Sequence, residues 1–104
     1  MAFEIRYAAE AENDLNEILS WLVKRQAGKA GLRWYQGLEK KISTLAEMPG
    51  RCVRAPESKS LSFDLFQLLY GRKPRVYRVL FTIQGNVVYI LAIRRPRENS
   101  FSLS

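Results

Sequence analysis

The spacing of apolar positions along the chain changes several times, and each change marks an element. Phe3, Ile5 and Tyr7 alternate with Glu4 and Arg6, the two-residue period of a half-buried strand. From about Ala9 to Arg25 the period lengthens, and Ala11, Leu15, Ile18, Leu19 and Leu22 fall on one face of a helix. Glu10, Glu12, Asp14 and Glu17 load its early turns and Lys24 and Arg25 close it, matching the helix dipole at both ends. Gly28 and Gly31 mark a turn region. A second helix is expected from about Gly31 to Glu47, striped by Tyr35, Leu38, Ile42 and Leu45. Met48-Pro49-Gly50 ends it, because proline disfavours helical geometry in the residue before it. Two amphipathic stripes across a short connection predict an antiparallel helical hairpin.

The second half changes character. Arg51 to Ser62 holds Pro56 and three serines without a sustained period, and reads as a loop with room for a short strand. Asp64 to Tyr70 reads as a strand broken by Gly71 and Pro74. Val76 to Ile83 and Val87 to Arg94 are β-branched and aromatic, and Gln84-Gly85-Asn86 between them supplies the turn of a hairpin. The fold class that follows is α+β: an N-terminal strand, an antiparallel helical hairpin, then a three-stranded antiparallel meander, with the helices on one face of the sheet. At 104 residues the chain is expected to form a single domain, 1–104.

Strand parity assigns faces. Tyr77, Val79, Phe81 and Ile83 share one face of their strand, and Val76, Arg78, Leu80 and Thr82 the other. In the last strand Val87, Tyr89, Leu91 and Ile93 oppose Val88, Ile90, Ala92 and Arg94. Arg78 and Arg94 are thereby expected to emerge away from the helices, on an open basic face with apolar patches between the charges.

Charge sharpens this expectation. Residues 1–50 carry seven basic and seven acidic side chains. Residues 51–97 carry ten basic ones against only Glu57 and Asp64, so the net charge of +7 resides in the second half. Such segregation is the footprint expected of a surface that meets a polyanion, the alternative being a basic face kept for solubility. Composition excludes other classes. The chain has no histidine and a single cysteine, Cys52, which removes Ser-His-Asp chemistry, an internal disulfide and nearly all zinc sites; no metal or other cofactor is expected. The apolar run Val87 to Ile93 is too short to span a bilayer, and no basic-apolar leader opens the chain, so a cytoplasmic location without a membrane partner is expected.

Ala55-Pro56-Glu57, Gln67-Leu68-Leu69-Tyr70-Gly71, Tyr77-Arg78-Val79-Leu80-Phe81-Thr82-Ile83 and the strand from Val87 to Ile93, in this order, resemble the RelE/ParE family of bacterial toxins. The order of elements is similar too. The resemblance implies a small basic toxin of a type II toxin–antitoxin system, neutralised by a cognate acidic antitoxin laid over the sheet and hairpin. RelE-like members cleave mRNA on the ribosome, whereas ParE-like members poison DNA gyrase. The first activity is the leading expectation here. Gyrase inhibition without catalysis is the alternative, followed by an inactive antitoxin-binding member. Three positions depart from the RNA-cutting pattern: Phe66 replaces an arginine, Arg95 a histidine, and Phe101 is the nearest match to a C-terminal tyrosine.

For RNA cleavage a planar guanidinium suits the pentavalent phosphate, and Arg78 and Arg94 are the candidates. Glu57 matches a glutamate that serves as base in some RNA-cutting relatives, and Lys59 or Lys73 with a depressed pKa would be alternatives. Arg54, Lys59, Arg72, Lys73, Arg75, Arg95 and Arg97 are candidate phosphate contacts. The competing reading of Arg78 is an ion pair with Asp64 or Glu57. Trp21, Trp34 and Tyr35 on the helices, with Tyr70 and Tyr77, are read first as core aromatics.

Overall fold

The computed structural model describes residues 2–95. One mixed sheet carries the strands β1 (Glu4–Tyr7), β2 (Val53–Arg54), β3 (Phe66–Arg72), β4 (Arg75–Gln84) and β5 (Val87–Arg94) in the spatial order β1-β5-β4-β3-β2. The β2-β3, β3-β4 and β4-β5 pairs are antiparallel, whereas β1 runs parallel to β5 with Glu4 opposite Val87 and Tyr7 opposite Ile90. A parallel pair requires a crossover. The helices α1 (Ala9–Lys24) and α2 (Gly28–Ser43) lie within that crossover. Ala11 and Ile18 of α1 and Leu38 and Ile42 of α2 are buried with Val79, Phe81, Val88 and Ile90 of the sheet. Complete burial of such a Leu, Ile or Phe side chain stabilises the fold by about 1.5–3 kcal/mol.

Several boundaries differ from the expected ones for identifiable reasons. α2 begins at Gly28 rather than Gly31. Gly31 is buried where the two helices approach: a Cβ there would lie 2.5 Å from that of Ala27 and 3.5 Å from Leu22. It is a packing residue within the helix, not a turn. The expected tail of that helix tightens into a 3-10 turn at Thr44–Ala46, which buries Leu45. β3 starts at Phe66 rather than Asp64 because the preceding residues are tied to the loop. The Leu65 N–H donates to Ser58 Oγ at 3.0 Å, and the Leu65 carbonyl accepts the Ala55 N–H at 2.8 Å.

The face assignment of β5 is corrected by a bulge. Leu80 stands opposite Ala92, whereas Phe81 stands opposite Ile90, so Leu91 is the extra residue. One extra residue inverts the alternation beyond it. Val88, Ile90 and Ile93 therefore join a single core on the helix side, while Ala92 lies in a separate cluster. Nor is the second face of the sheet open throughout. Ala55, Leu65, Leu80 and Ala92 form a second buried cluster flanked by Leu61, Phe63 and Leu91. Residues 55–65 thus roof the apolar patch expected to lie between the arginines, and a 3-10 turn, Pro56–Ser60, shapes the roof. Leaving Leu80 and Ala92 in water would forfeit their transfer free energy.

Candidate functional site

Arg78 lies on β4 and Arg94 opposite it on β5. The strand register brings the two backbones together, but their side chains are drawn apart. Arg78 reaches across β3 toward the roof. Its Nη2 and Nη1 donate to the two carboxylate oxygens of Glu57 at 2.6 and 2.9 Å, and its Nε donates to Gln67 Oε1 at 3.0 Å. The pair is withdrawn from solvent, with side chains 23% and 10% exposed. Glu57 gains its position from Pro56, whose fixed φ favours the first turn of the 3-10 segment, and from the burial of neighbouring Ala55. A shallow cleft lined by Pro56, Glu57, Ser60, Gln67 and Arg78 opens over the pair.

Arg94 turns the other way, to the first turns of α1. It donates to Glu10 Oε2 at 2.6 Å and lies 3.5 Å from Asp14 Oδ2, while Asp14 also accepts the Ile93 N–H at 2.8 Å. Arg95 pairs with Glu17 one turn further along, at 2.9 Å. Glu10, Asp14 and Glu17 thus form a carboxylate stripe at helical spacing that receives the end of β5. The sequence places these acids in the first half or so of α1, but their spacing does not name their tertiary partners. The sequence signal for them is the stripe itself, together with two consecutive arginines at the end of a strand.

The other predicted cations do not converge on Arg78. Arg54 is exposed on β2 and contacts Asp64 at 3.3 Å. Lys59 is exposed on the 3-10 turn of the roof, and Arg72, Lys73 and Arg75 are exposed at the β3-β4 tip. Arg97 lies outside the described residues, as does Phe101. A guanidinium fork occupied by a carboxylate can accept phosphate only by exchanging one anion for the other.

The aromatic residues are largely structural. Trp34 makes edge contacts with Tyr70 and Tyr77 at 5.2 and 5.0 Å, and the Tyr70 hydroxyl donates to the Trp34 carbonyl at 2.7 Å. Burial raises the pKa of Tyr70, and burial with the nearby Glu39 carboxylate raises those of Tyr7 and Tyr35. Burial likewise raises that of the Cys52 thiol, against the opposing pull of Arg51. Trp21 lines a surface cleft together with Tyr77 and carries the Arg25 guanidinium over its ring at 4.8 Å. Exposed apolar side chains gather on the helical hairpin, where Leu19, Val23 and Leu32 border a groove between α1 and α2. Among the described residues no group of His, Cys, Asp and Glu is placed to hold a metal ion, and no helix is long and apolar enough to cross a membrane.

Residues 5–100 match the family described as "ParE toxin of type II toxin-antitoxin system, parDE". Among solved structures, the "Chromosomal ParDE TA system from P. aeruginosa" contains a chain similar in fold, with a TM-score of 0.70 and 19% identity over 90% of this chain and 96% of that one. No curated protein matches the sequence.

Proposed function

Because the chain belongs to the ParE toxin family of type II toxin–antitoxin systems, we propose that it is a toxin acting by binding, with DNA gyrase as its target and without RNA cleavage. The observation that carries this reading is the Arg78–Glu57 pair. In a nuclease of the expected type, Arg78 would donate to the pentavalent phosphate and Glu57 would take a proton from the 2′-hydroxyl. Here each satisfies the other at 2.6 and 2.9 Å, and Gln67 holds Arg78 from the side. Arg94 is held by Glu10 and Asp14, so neither guanidinium is presented to a phosphate without first exchanging a carboxylate. The absence of histidine from the chain removes the most common general acid for the leaving oxygen. In this reading Arg78, Arg94 and Glu57 build the surface, and the exposed cations Arg72, Lys73 and Arg75 meet the target.

The antitoxin is proposed to cover the hairpin groove with an amphipathic helix, burying Leu19, Val23 and Leu32 and setting acidic side chains over the basic half. Two parallel assays with purified toxin test the target: supercoiling of relaxed plasmid by gyrase, and translation of a reporter mRNA in a reconstituted system. Loss of supercoiling with intact translation is the expected result. Cleaved mRNA and lost translation would return the protein to the ribosome-dependent reading.

A further inference from the structure

A cationic cleft lies apart from the Arg78–Glu57 pair. Between the second half of α1 and the β3-β4 hairpin the surface sinks into a cavity of about 370 Å3, within the roughly 300–1,000 Å3 of small-molecule sites. Ile18, Trp21 and Tyr77 supply apolar and aromatic lining. Arg25, Arg75 and Arg95 supply three guanidinium groups. These come from three separate places in the chain: the end of α1, the start of β4 and the residue after β5. A charge run that is merely solvated would be contiguous, and this one is assembled by the fold. Glu17, paired with Arg95 at 2.9 Å, offsets one of the three charges, so the cavity remains electropositive.

The walls are positioned by packing. Tyr77 is 9% exposed, and its ring meets Trp34 edge-on at 5.0 Å. Arg25 lies over the Trp21 indole at 4.8 Å. The backbone beneath Arg75 depends on Gly71, which has a φ of +109° and no room for a Cβ, since that atom would stand 2.5 Å from the Arg75 carbonyl oxygen.

We propose that this cleft, which Tyr77 also lines, binds a nucleotide, with the base against Trp21 and the phosphate on Arg75, Arg95 joining it by exchanging Glu17 for the phosphate. A bare anion would use the guanidinium groups and leave the aromatic lining wet. An apolar ligand would desolvate three cations without compensation. A planar ring carrying a phosphate satisfies both halves, by stacking and by charge-assisted hydrogen bonds. The same chemistry is offered by a free nucleotide and by one unit of a single strand. The site shares Arg75 with the surface proposed to meet gyrase, but nucleotide binding is read by calorimetry and does not depend on the outcome of the supercoiling assay.

Calorimetric titration of the full chain with AMP, adenosine, inorganic phosphate and an eight-residue oligoadenylate tests the proposal. AMP is expected to bind at least about tenfold more tightly than adenosine or phosphate alone. Arg75→Ala, at an exposed hairpin position that leaves the core intact, is expected to weaken AMP by about tenfold or more. Trp21→Ala, checked for folding by circular dichroism, is expected to weaken AMP but not phosphate. Oligoadenylate binding tenfold tighter than AMP assigns the site to a strand, and equal binding assigns it to the free nucleotide. Equal affinity for AMP and phosphate, or indifference of AMP to Arg75→Ala, overturns the proposal.

Discussion

Glu57→Gln is the perturbation that most directly separates a structural Arg78–Glu57 pair from a catalytic one. The substitution keeps the shape of the side chain and removes its charge. Of the three Arg78 donors seen bonded, the Nε bond to Gln67 survives, one Nη bond can pass to the new amide oxygen, and the other meets an amide N–H. Breaking a fully buried ion pair costs about 3–5 kcal/mol. Arg78 is 23% exposed and recovers part of that from water, which brings the expected loss to about 2 kcal/mol. A double-mutant cycle with Arg78→Met isolates the pair itself. Arg78→Met leaves the Glu57 carboxylate without its cation and Glu57→Gln leaves the Arg78 guanidinium without its anion, whereas the double variant holds neither charge, so a coupling of about 2 kcal/mol is expected. Urea unfolding followed by tryptophan fluorescence reads this as a midpoint shift of about 1–2 M for each single variant and a smaller shift for the double. A coupling below about 0.5 kcal/mol would place the pair among ordinary exposed ion pairs and refute the argument that Glu57 occupies the Arg78 fork. Toxicity adds a second readout. A structural Glu57 lowers the amount of folded toxin, and restoring that amount restores toxicity. A catalytic base would leave fully folded protein inert.

Three other outcomes follow from particular contacts. Asp14→Ala strands the N–H of Ile93, a residue only 2% exposed, and should cost about 2–3 kcal/mol by urea unfolding, whereas Asp14→Asn retains an acceptor and should cost less than about half of that. Gly37→Ala puts a Cβ 2.3 Å from the Tyr70 hydroxyl and should break its bond to the Trp34 carbonyl; thermal denaturation should show a net loss of about 1 kcal/mol despite the better helix propensity of alanine. Tyr7 has a folded pKa raised above 10.0, so the folded state keeps a proton that the unfolded state releases. Its stabilisation is complete below about pH 10 and declines as pH rises through the folded value, by up to about 1.4 kcal/mol per pH unit; Tyr7→Phe should flatten that alkaline decline in denaturation series.

Much of the fold is legible in the amino-acid order because it depends on near neighbours. The alternation of Tyr77, Val79, Phe81 and Ile83 specifies one face of a strand whatever lies opposite, and the stripe of Ala11, Leu15, Ile18 and Leu22 specifies a helix face in the same way. The hairpin turn, which the structure narrows from Gln84-Gly85-Asn86 to Gly85-Asn86 by pairing Gln84 with Val87, and the α+β order of elements follow from the same local rules, and the excess positive charge of the second half is simple addition. The bulge at Leu91 is different. It depends on how β5 meets β4 and on which side chains the helices leave room for, and nothing in the local spacing of Val87 to Arg94 announces it. The site is less legible still. A sequence can show that Arg78 and Arg94 are available, but the state of a guanidinium is set by the anion beside it. Those anions are 21 positions away for Glu57, 84 for Glu10 and 80 for Asp14. Electrostatic attraction acts through space over a few ångströms, and only the packing of α1 and of the 55–65 roof on the sheet decided which charges came within that range.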